Sequence, residues 1–322
     1  MSRKPRHPRP VAVLAVLAAC AALAVAAFMT VGARGNWDFV LPFRSGKLIA
    51  LLLVAYAVAV STVLFQTVTG NRILTPSIMG FDALFALIQT WLVFFVGAAR
   101  VSAIDPHLLF AFEAMVMIGF CLVLYRWLFS GGARSLHLLL LVGIIFGVLF
   151  RSLSNFLQRI IDPNEFVVLQ DRLFASFNTV DTGLVGFALA IVAATSVVGW
   201  RMRHVFDVLA LGRESAINLG VEHRRAVTVI LVLVAVLVSI STALVGPVTF
   251  FGLLVANLAY QLMPTHRHAW LLPTATLIAV ICLVGGQVVL EHVFGFDTAL
   301  SIIIEFVGGI VFILLVLKGA AR

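Results

Sequence analysis

The chain has 322 residues, 62% of them apolar and 11% charged, and its mean hydropathy is +1.13. Soluble domains run nearer to about 45–50% apolar and about 25% charged, so a soluble enzyme, a disordered chain and a disulfide scaffold are excluded. A net charge of +8 on so apolar a body points to basic loops on an anionic membrane face; no basic stripe with interleaved aromatics speaks for nucleic acid.

Apolar runs separated by short polar breaks predict an all-α, polytopic membrane protein of about ten transmembrane helices. The runs are Val11–Val31, Leu48–Val68, Phe81–Ala99, Leu108–Phe129, Leu136–Leu153, Leu184–Trp200, Ala226–Val245, Pro247–Met263, Ala269–Leu290 and Ala299–Leu317. Each must close its own backbone hydrogen bonds, because lipid offers none. The first run has a basic flank, Arg3-Lys4-Pro5-Arg6, but no small-residue cleavage site before a soluble domain. It is therefore read as a retained span and not as a signal peptide. One membrane domain, residues 1–322, accounts for the whole chain.

Charge sets the orientation. With the N-terminus inside, Arg72, Arg126, Arg201, Arg203, Arg213, Arg224, Arg225 and Arg267 fall in inner connections, while Arg44, Lys47, Arg100, Arg151, Arg159 and Arg172 fall outside. The bias, increased by the basic ends, predicts that both termini are cytoplasmic. Two connections are long. The inner one, residues 201–225, has apolar residues at helical spacing broken by Gly212 and Gly220, and predicts one or two short surface helices. The outer one, Asn155–Asn178, predicts a short amphipathic element.

Catalytic and metal signatures are missing. No G-x-x-x-x-G-K-[ST] pattern holds ATP, and no HExxH or GxSxG occurs. Cys20, Cys121 and Cys282 lie far apart in apolar runs and read as small hydrophobes. His266 and His268 are two residues apart, a poor metal spacing, and read as loop histidines near a membrane surface. Polar residues within spans carry more information: Gln66, Gln89, Glu113, Asn257, Gln261, Gln287 and Glu305. As a set they suggest a translocation path; singly, each is accounted for by hydrogen bonding between helices. Gly143 and Gly147 form a GxxxG pair, whose ordinary meaning is close helix packing. On these residues alone, a secondary transporter using Glu113 or Glu305 as a proton relay stays open.

Four stretches, taken in order, resemble one family. Asn71-Arg72-Ile73-Leu74-Thr75-Pro76-Ser77-Ile78-Met79-Gly80 resembles N-P-L-A-x-P-x-x-L-G, with Asn71, Pro76 and Gly80 matching, Arg72 in place of Pro, and Gln66 matching a Gln just upstream. Leu211-Gly212-Arg213-Glu214-Ser215-Ala216-Ile217-Asn218-Leu219-Gly220-Val221 resembles L-G-x-x-x-A-x-x-L-G-V. Gly246-Pro247-Val248-Thr249-Phe250-Phe251-Gly252-Leu253 resembles G-P-I-x-F-V-G-L, and Phe306–Phe312 resembles L-I-G-x-P-x-F with Ile310 in place of Pro. The family is the FecCD-type permeases, which move iron–siderophore, haem and vitamin B12 complexes. Arg44 and Lys47 match its R-x-P-R pair. Where the family often has V-P-H-x-x-R, this chain has Ala256, Asn257 and Tyr260 in the Pro, His and Arg positions. These departures resemble the second permease subunit of petrobactin-, vibriobactin- and anguibactin-type importers.

The resemblance implies the rest. The chain would be a non-enzymatic permease subunit of an importer in the bacterial cytoplasmic (inner) membrane. Its partners would be a cytoplasmic ATPase dimer, a second, distinct permease chain, and an external siderophore-binding protein. ATP and Mg would sit on the ATPase, with no cofactor or metal on this chain. Leu209, Leu211, Gly212, Arg213, Glu214, Ala216, Leu219 and Gly220 would form the ATPase-coupling loop, with Leu211, Ala216 and Leu219 as its packed face and Arg213 and Glu214 as rim charges. Arg44 and Lys47 would dock the binding protein. Gln66, Asn71, Pro76, Gly80, Gly246, Pro247, Gly252, Asn257 and Glu305 would line the path or pack it. A haem or vitamin B12 importer of the same kind is the alternative cargo reading.

Overall fold

The computed structural model describes residues 9–32, 37–130, 136–178, 180–295 and 299–320. The basic flank Arg3–Arg6, with Arg34, Arg134 and Arg322, lies outside the described residues. The described chain is helical, in chain order: α1 (Pro10–Thr30), α2 (Trp37–Thr69), a 3-10 turn (Pro76–Met79), α3 (Phe81–Val96), α4 (Ala98–Ala103), α5 (Pro106–Ser130), α6 (Leu136–Gln158), α7 (Pro163–Leu173), α8 (Thr182–Arg201), α9 (Arg203–Leu209), α10 (Arg213–Asn218), α11 (His223–Val245), α12 (Phe251–Leu262), α13 (His268–His292) and α14 (Leu300–Ala320).

Seven of these, α1, α2, α5, α6, α8, α11 and α13, are long and apolar enough to cross a membrane, judged on the described residues. Three apolar helices are shorter: Phe81–Val96, Phe251–Leu262 and the stretch Leu300–Val311. The ten expected runs are all present as helices, but their ends differ. The second begins at Trp37, well before Leu48, and carries Pro42 inside its first turns. The eighth begins at Phe251 and not at Pro247, because Gly246 takes φ +95° and Pro247 to Phe250 stay outside the helix. The outer connection contains α7, its N-terminus capped by the Asp162 carboxylate accepting from the Asn164 amide at 2.8 Å. The inner connection holds two helices, α9 and α10.

The centre of the bundle is α2 and α11, with α13 against α2, α5 and α8 against α11, and α1 against α13. A second pair, α3 with α6, is joined through the 3-10 turn. Here the GxxxG pair shows its use. A Cβ on Gly143 would come within 3.0 Å of the Met79 Cα, and one on Gly80 within 3.0 Å of the Gly147 backbone. Gly80 also holds φ +89°, a conformation that costs an L side chain about 1–2 kcal/mol. Three glycines from two motifs thus bring the turn against α6.

Candidate functional site

Two breaks in the helical pattern meet in the bundle. Thr75, Pro76 and Ser77 of the 3-10 turn and Gly246, Val248 and Thr249 before α12 line one small internal cavity with Ser61 and Thr62 of α2 and Ser241 and Thr242 of α11. Gly246 is required on two counts. Its φ is +95°, and a Cβ there would lie 3.1 Å from the Ala175 Cα, where the outer segment is tied back by the Ser176 amide donating to the Val245 carbonyl at 2.8 Å. A side chain at Gly252 would run into Thr62, so α12 also lies directly on α2.

Asp82, two residues after Gly80, points its carboxylate toward the Ser77 and Thr249 hydroxyls. Glu305 of α14 lies near the Thr249 backbone and hydroxyl. Thr249 therefore joins two carboxylates from α3 and α14 at the break. Glu305 was expected on the path; Asp82 was not singled out, although a lone acid one step inside an apolar run is a sequence signal for a functional intramembrane group.

A second meeting point involves Gln66, Asn71, Arg72 and Asn257. Gln66 Nε2 donates to the Arg72 carbonyl at 2.8 Å, and Asn257 Nδ2 donates to the same oxygen at 3.3 Å and to the Leu253 carbonyl at 2.8 Å. Asn71 Oδ1 accepts from the Ile73 amide at 2.9 Å, turning the chain. The Arg72 guanidinium lies 4.4 Å from the Tyr260 ring centroid. The departures from the family pattern at 72, 257 and 260, far apart in sequence, are neighbours in space. A cation on the connection lies on an aromatic ring in α12, at the position where the pattern carries Arg. Gln66 and Asn257 fix this connection to α2 and α12, and Asn71 shapes its turn.

At the inner connection, Gly212 with φ +95° turns the chain from α9 into α10, and Gly220 with φ +84° releases it into α11. The apolar residues divide in two directions. Leu209 and Ala216 are buried within the chain, Ala216 fully, as is Phe206 of α9. Leu211 and Leu219 are each 63% exposed, and Ile217 is exposed beside them. Ala216 is therefore not part of an outward packed face; Ile217 takes its place. Only an actual helix phase separates these residues, since α10 is six residues long and Leu211 and Leu219 lie beyond its two ends. Arg213 and Glu214 are exposed.

This knob is tied to the spans by a contact the sequence reading passed over. Asp207 Oδ1 accepts from the backbone amide and from Nδ1 of His268, both at 2.7 Å, and His268 Nε2 lies 2.8 Å from Thr67 Oγ1. The carboxylate favours the proton on Nδ1, so Nε2 is an acceptor that shares the single Thr67 hydroxyl proton with the Val63 carbonyl, 2.8 Å from the same oxygen. His268 is buried and lies edge-on to Phe206. The contact joins α9 to α13 and α2. His268 reads as a loop histidine in sequence because Asp207, its partner, is 61 residues away.

The basic pair at the other end of α2 is spent inside the chain. Lys47 Nζ lies 2.6 Å from Glu291 Oε1 of α13, with side chains 9% and 10% exposed. Glu291 also accepts from Gln287 Nε2 at 2.9 Å, and Gln287 donates to Asn178 Oδ1 at 3.3 Å. Arg44 Nη1 donates to the carbonyls of Phe28 and Val31, closing the end of α1. Within the chain, Arg44 and Lys47 both hold α2 to its neighbours.

Comparison with known proteins follows this geometry. A profile described as the FecCD transport family matches residues 11–318. The petrobactin import system permease protein YclO of Bacillus subtilis (strain 168) is 51% identical over 284 residues, 88% of this chain and 90% of that protein. The petrobactin import system permease protein FatC of Bacillus anthracis is 40% identical over 86% of this chain and 78% of its own length. Among solved structures, a metal-chelate type ABC transporter in an inward-facing conformation matches with TM-score 0.85 at 22% identity, covering 96% of this chain and all of that one, which shows a common fold. With its breaks at Gly80 and Gly246 and its α9–α10 knob set in that fold, the chain belongs to the FecCD transport family.

Proposed function

We propose that this chain is a membrane-spanning permease subunit of an ATP-driven importer that carries a ferric siderophore of the petrobactin kind into the cytoplasm. The observation that carries the reading is the 51% identity to a petrobactin import permease over nearly the full length of both proteins. The exposed knob of Leu211, Ile217 and Leu219 supports it, since three exposed apolar side chains on a short helical turn suit the groove of a partner. In this reading the knob sits on the cytoplasmic ATPase, which binds ATP and Mg. Both termini then lie on that side of the bacterial inner membrane. A second permease chain completes the pathway, and an external binding protein delivers the chelate, whose iron is ligated by the siderophore.

Closure of the ATPase pair would press on α9 and α10. The Asp207–His268–Thr67 contact passes that displacement to α13 and α2, and the packed glycine breaks allow the spans to shift as units. Transport is then alternating access biased by ATP.

The test is uptake of radiolabelled ferric petrobactin by cells lacking the gene and by cells carrying it on a plasmid, with excess haem, vitamin B12 or unrelated ferric siderophore as competitors. Restored, ATP-dependent uptake competed only by petrobactin-type chelates is expected. Competition by haem or vitamin B12 would reassign the cargo. Uptake that survives ATP depletion and collapses with a protonophore would replace the reading with a proton-coupled transporter.

A further inference from the structure

A groove away from the breaks and the knob remains without a role. It lies between α8 and α13, both of which rest on α2, and has a volume of about 340 Å³. Its floor is buried leucine and valine from α2 and α11, and Phe206 of α9 closes one end. Four hydroxyl side chains line it, Tyr56 of α2 with Thr195, Ser196 and Thr276, and the last three are turned back onto their own helices: Thr195 to the Ile191 carbonyl at 2.8 Å, Ser196 to the Val192 carbonyl, and Thr276 to the Leu272 carbonyl at 3.0 Å. Beyond Tyr56, the walls therefore offer no hydroxyl donor to a polar solute. A space this apolar does not attract water.

The rim is different. Trp200 stands at the mouth, half exposed, at the end of α8. The Arg203 guanidinium lies 4.9 Å from the Trp200 ring centroid and spends one of its five donors on the Trp200 carbonyl at 3.3 Å. Arg201 and His204 are exposed next to it. An indole at the rim with a pair of arginines just beyond it is the arrangement of a membrane interface on an anionic leaflet.

We infer that the α8–α13 groove binds an anionic glycerophospholipid, its acyl chain in the cavity and its phosphate over Arg201 and Arg203. The inference rests on the importer reading only in placing this end of α8 at the inner leaflet. Because Phe206 closes the groove and Asp207 follows it, an occupant holds α9 in place, and the lipid becomes part of the link between knob and spans.

The test uses the full-length chain, purified with whatever copurifies and placed in nanodiscs of phosphatidylcholine alone or of phosphatidylcholine with phosphatidylglycerol. Native mass spectrometry reads the phospholipid retained after delipidation. Gly199→Leu fills the groove from α8, where the nearest atom to an added Cβ is Leu233 Cδ1 at 3.9 Å, leaving room for the helix to fold. The expected result is one retained phospholipid per wild-type chain, phosphatidylglycerol over phosphatidylcholine, and none in Gly199→Leu. Arg201→Gln with Arg203→Gln keeps a lipid but loses the preference by about tenfold. Should Gly199→Leu fail to accumulate, Ser196→Leu enters the same groove. Equal retention in wild type and both filling variants, no headgroup preference in the wild type, or a protein segment protecting the groove instead overturns the inference. These readouts need no transport, so their failure alongside normal ferric-siderophore uptake leaves the proposed function standing. Failure of wild-type uptake alongside normal lipid retention does the reverse.

Discussion

The two ends of α2 handle charge in opposite ways. At one end Lys47 and Arg44 are drawn into the chain, one onto Glu291 and the other onto the carbonyls that end α1. Near the other, the α9–α10 knob leaves Arg213, Glu214, Leu211 and Leu219 exposed and is tied inward by Asp207 to His268 to Thr67 and by buried Phe206, Leu209 and Ala216. One end is built to hold its shape. The other presents a surface and a lever. Sequence alone showed two basic stretches beside two spans, and nothing local told the closed end from the open one.

Substitutions can break this contrast. The largest effect is expected from Lys47→Ala, which strands the Glu291 carboxylate in a nearly closed site; losing one partner of such a pair costs about 3–5 kcal/mol. The variant should be depleted from membranes on quantitative immunoblots, and Lys47→Met with Glu291→Met should recover most of the loss. Full accumulation of Lys47→Ala, with impaired capture of the binding protein, would return Lys47 to a docking role. Next comes Leu211→Asp with Leu219→Asp. Both side chains are mostly exposed, so the chain should accumulate normally while recovery of the ATPase on it falls about tenfold or more, as for apolar anchors at an interface.

His268→Ala lies between the two. It removes the ring that links Asp207 to Thr67, leaving Asp207 only the backbone amide and Thr67 only the Val63 carbonyl, a cost of about 1–3 kcal/mol. A lowered melting temperature in detergent is expected, together with ATP hydrolysis that drives less uptake per turnover. His268→Gln should recover part of the stability. A stability loss with unchanged coupling would make the contact a brace and not a lever. The smallest effect is expected from Glu214→Lys, a fully solvated rim charge: normal insertion, and uptake lowered a few-fold with increased salt sensitivity. Normal uptake in that variant would remove Glu214 from the interface.

Much of the fold was legible because lipid imposes a simple rule, and ten apolar runs became ten apolar helices. The misplaced ends have local causes. Pro247 was counted into a span by its apolar neighbours, but the backbone of Gly246 turns the chain, and the helix waits for Phe251. The site was legible in part. Motif order located Gly80, Gly246 and the knob, yet the carboxylate of Asp82 acquires meaning only when Thr249 brings Glu305 to it. Ala216 was placed on the outward face because its neighbours are apolar; the phase of a six-residue helix decides which of them emerge. Arg72, Asn257 and Tyr260 looked like three unrelated departures from a pattern until the fold placed them in contact.

The central claim is that the exposed knob transmits the work of an ATPase to this chain. The most direct measurement is ferric-petrobactin uptake and ATP hydrolysis, recorded together in proteoliposomes holding the chain with its copurified partners, for wild type and for Leu211→Asp with Leu219→Asp. The account predicts ATP-dependent uptake in the wild type and, in the variant, an intact chain with uptake lost and hydrolysis no longer stimulated by the loaded binding protein. Undiminished uptake by the variant would contradict it.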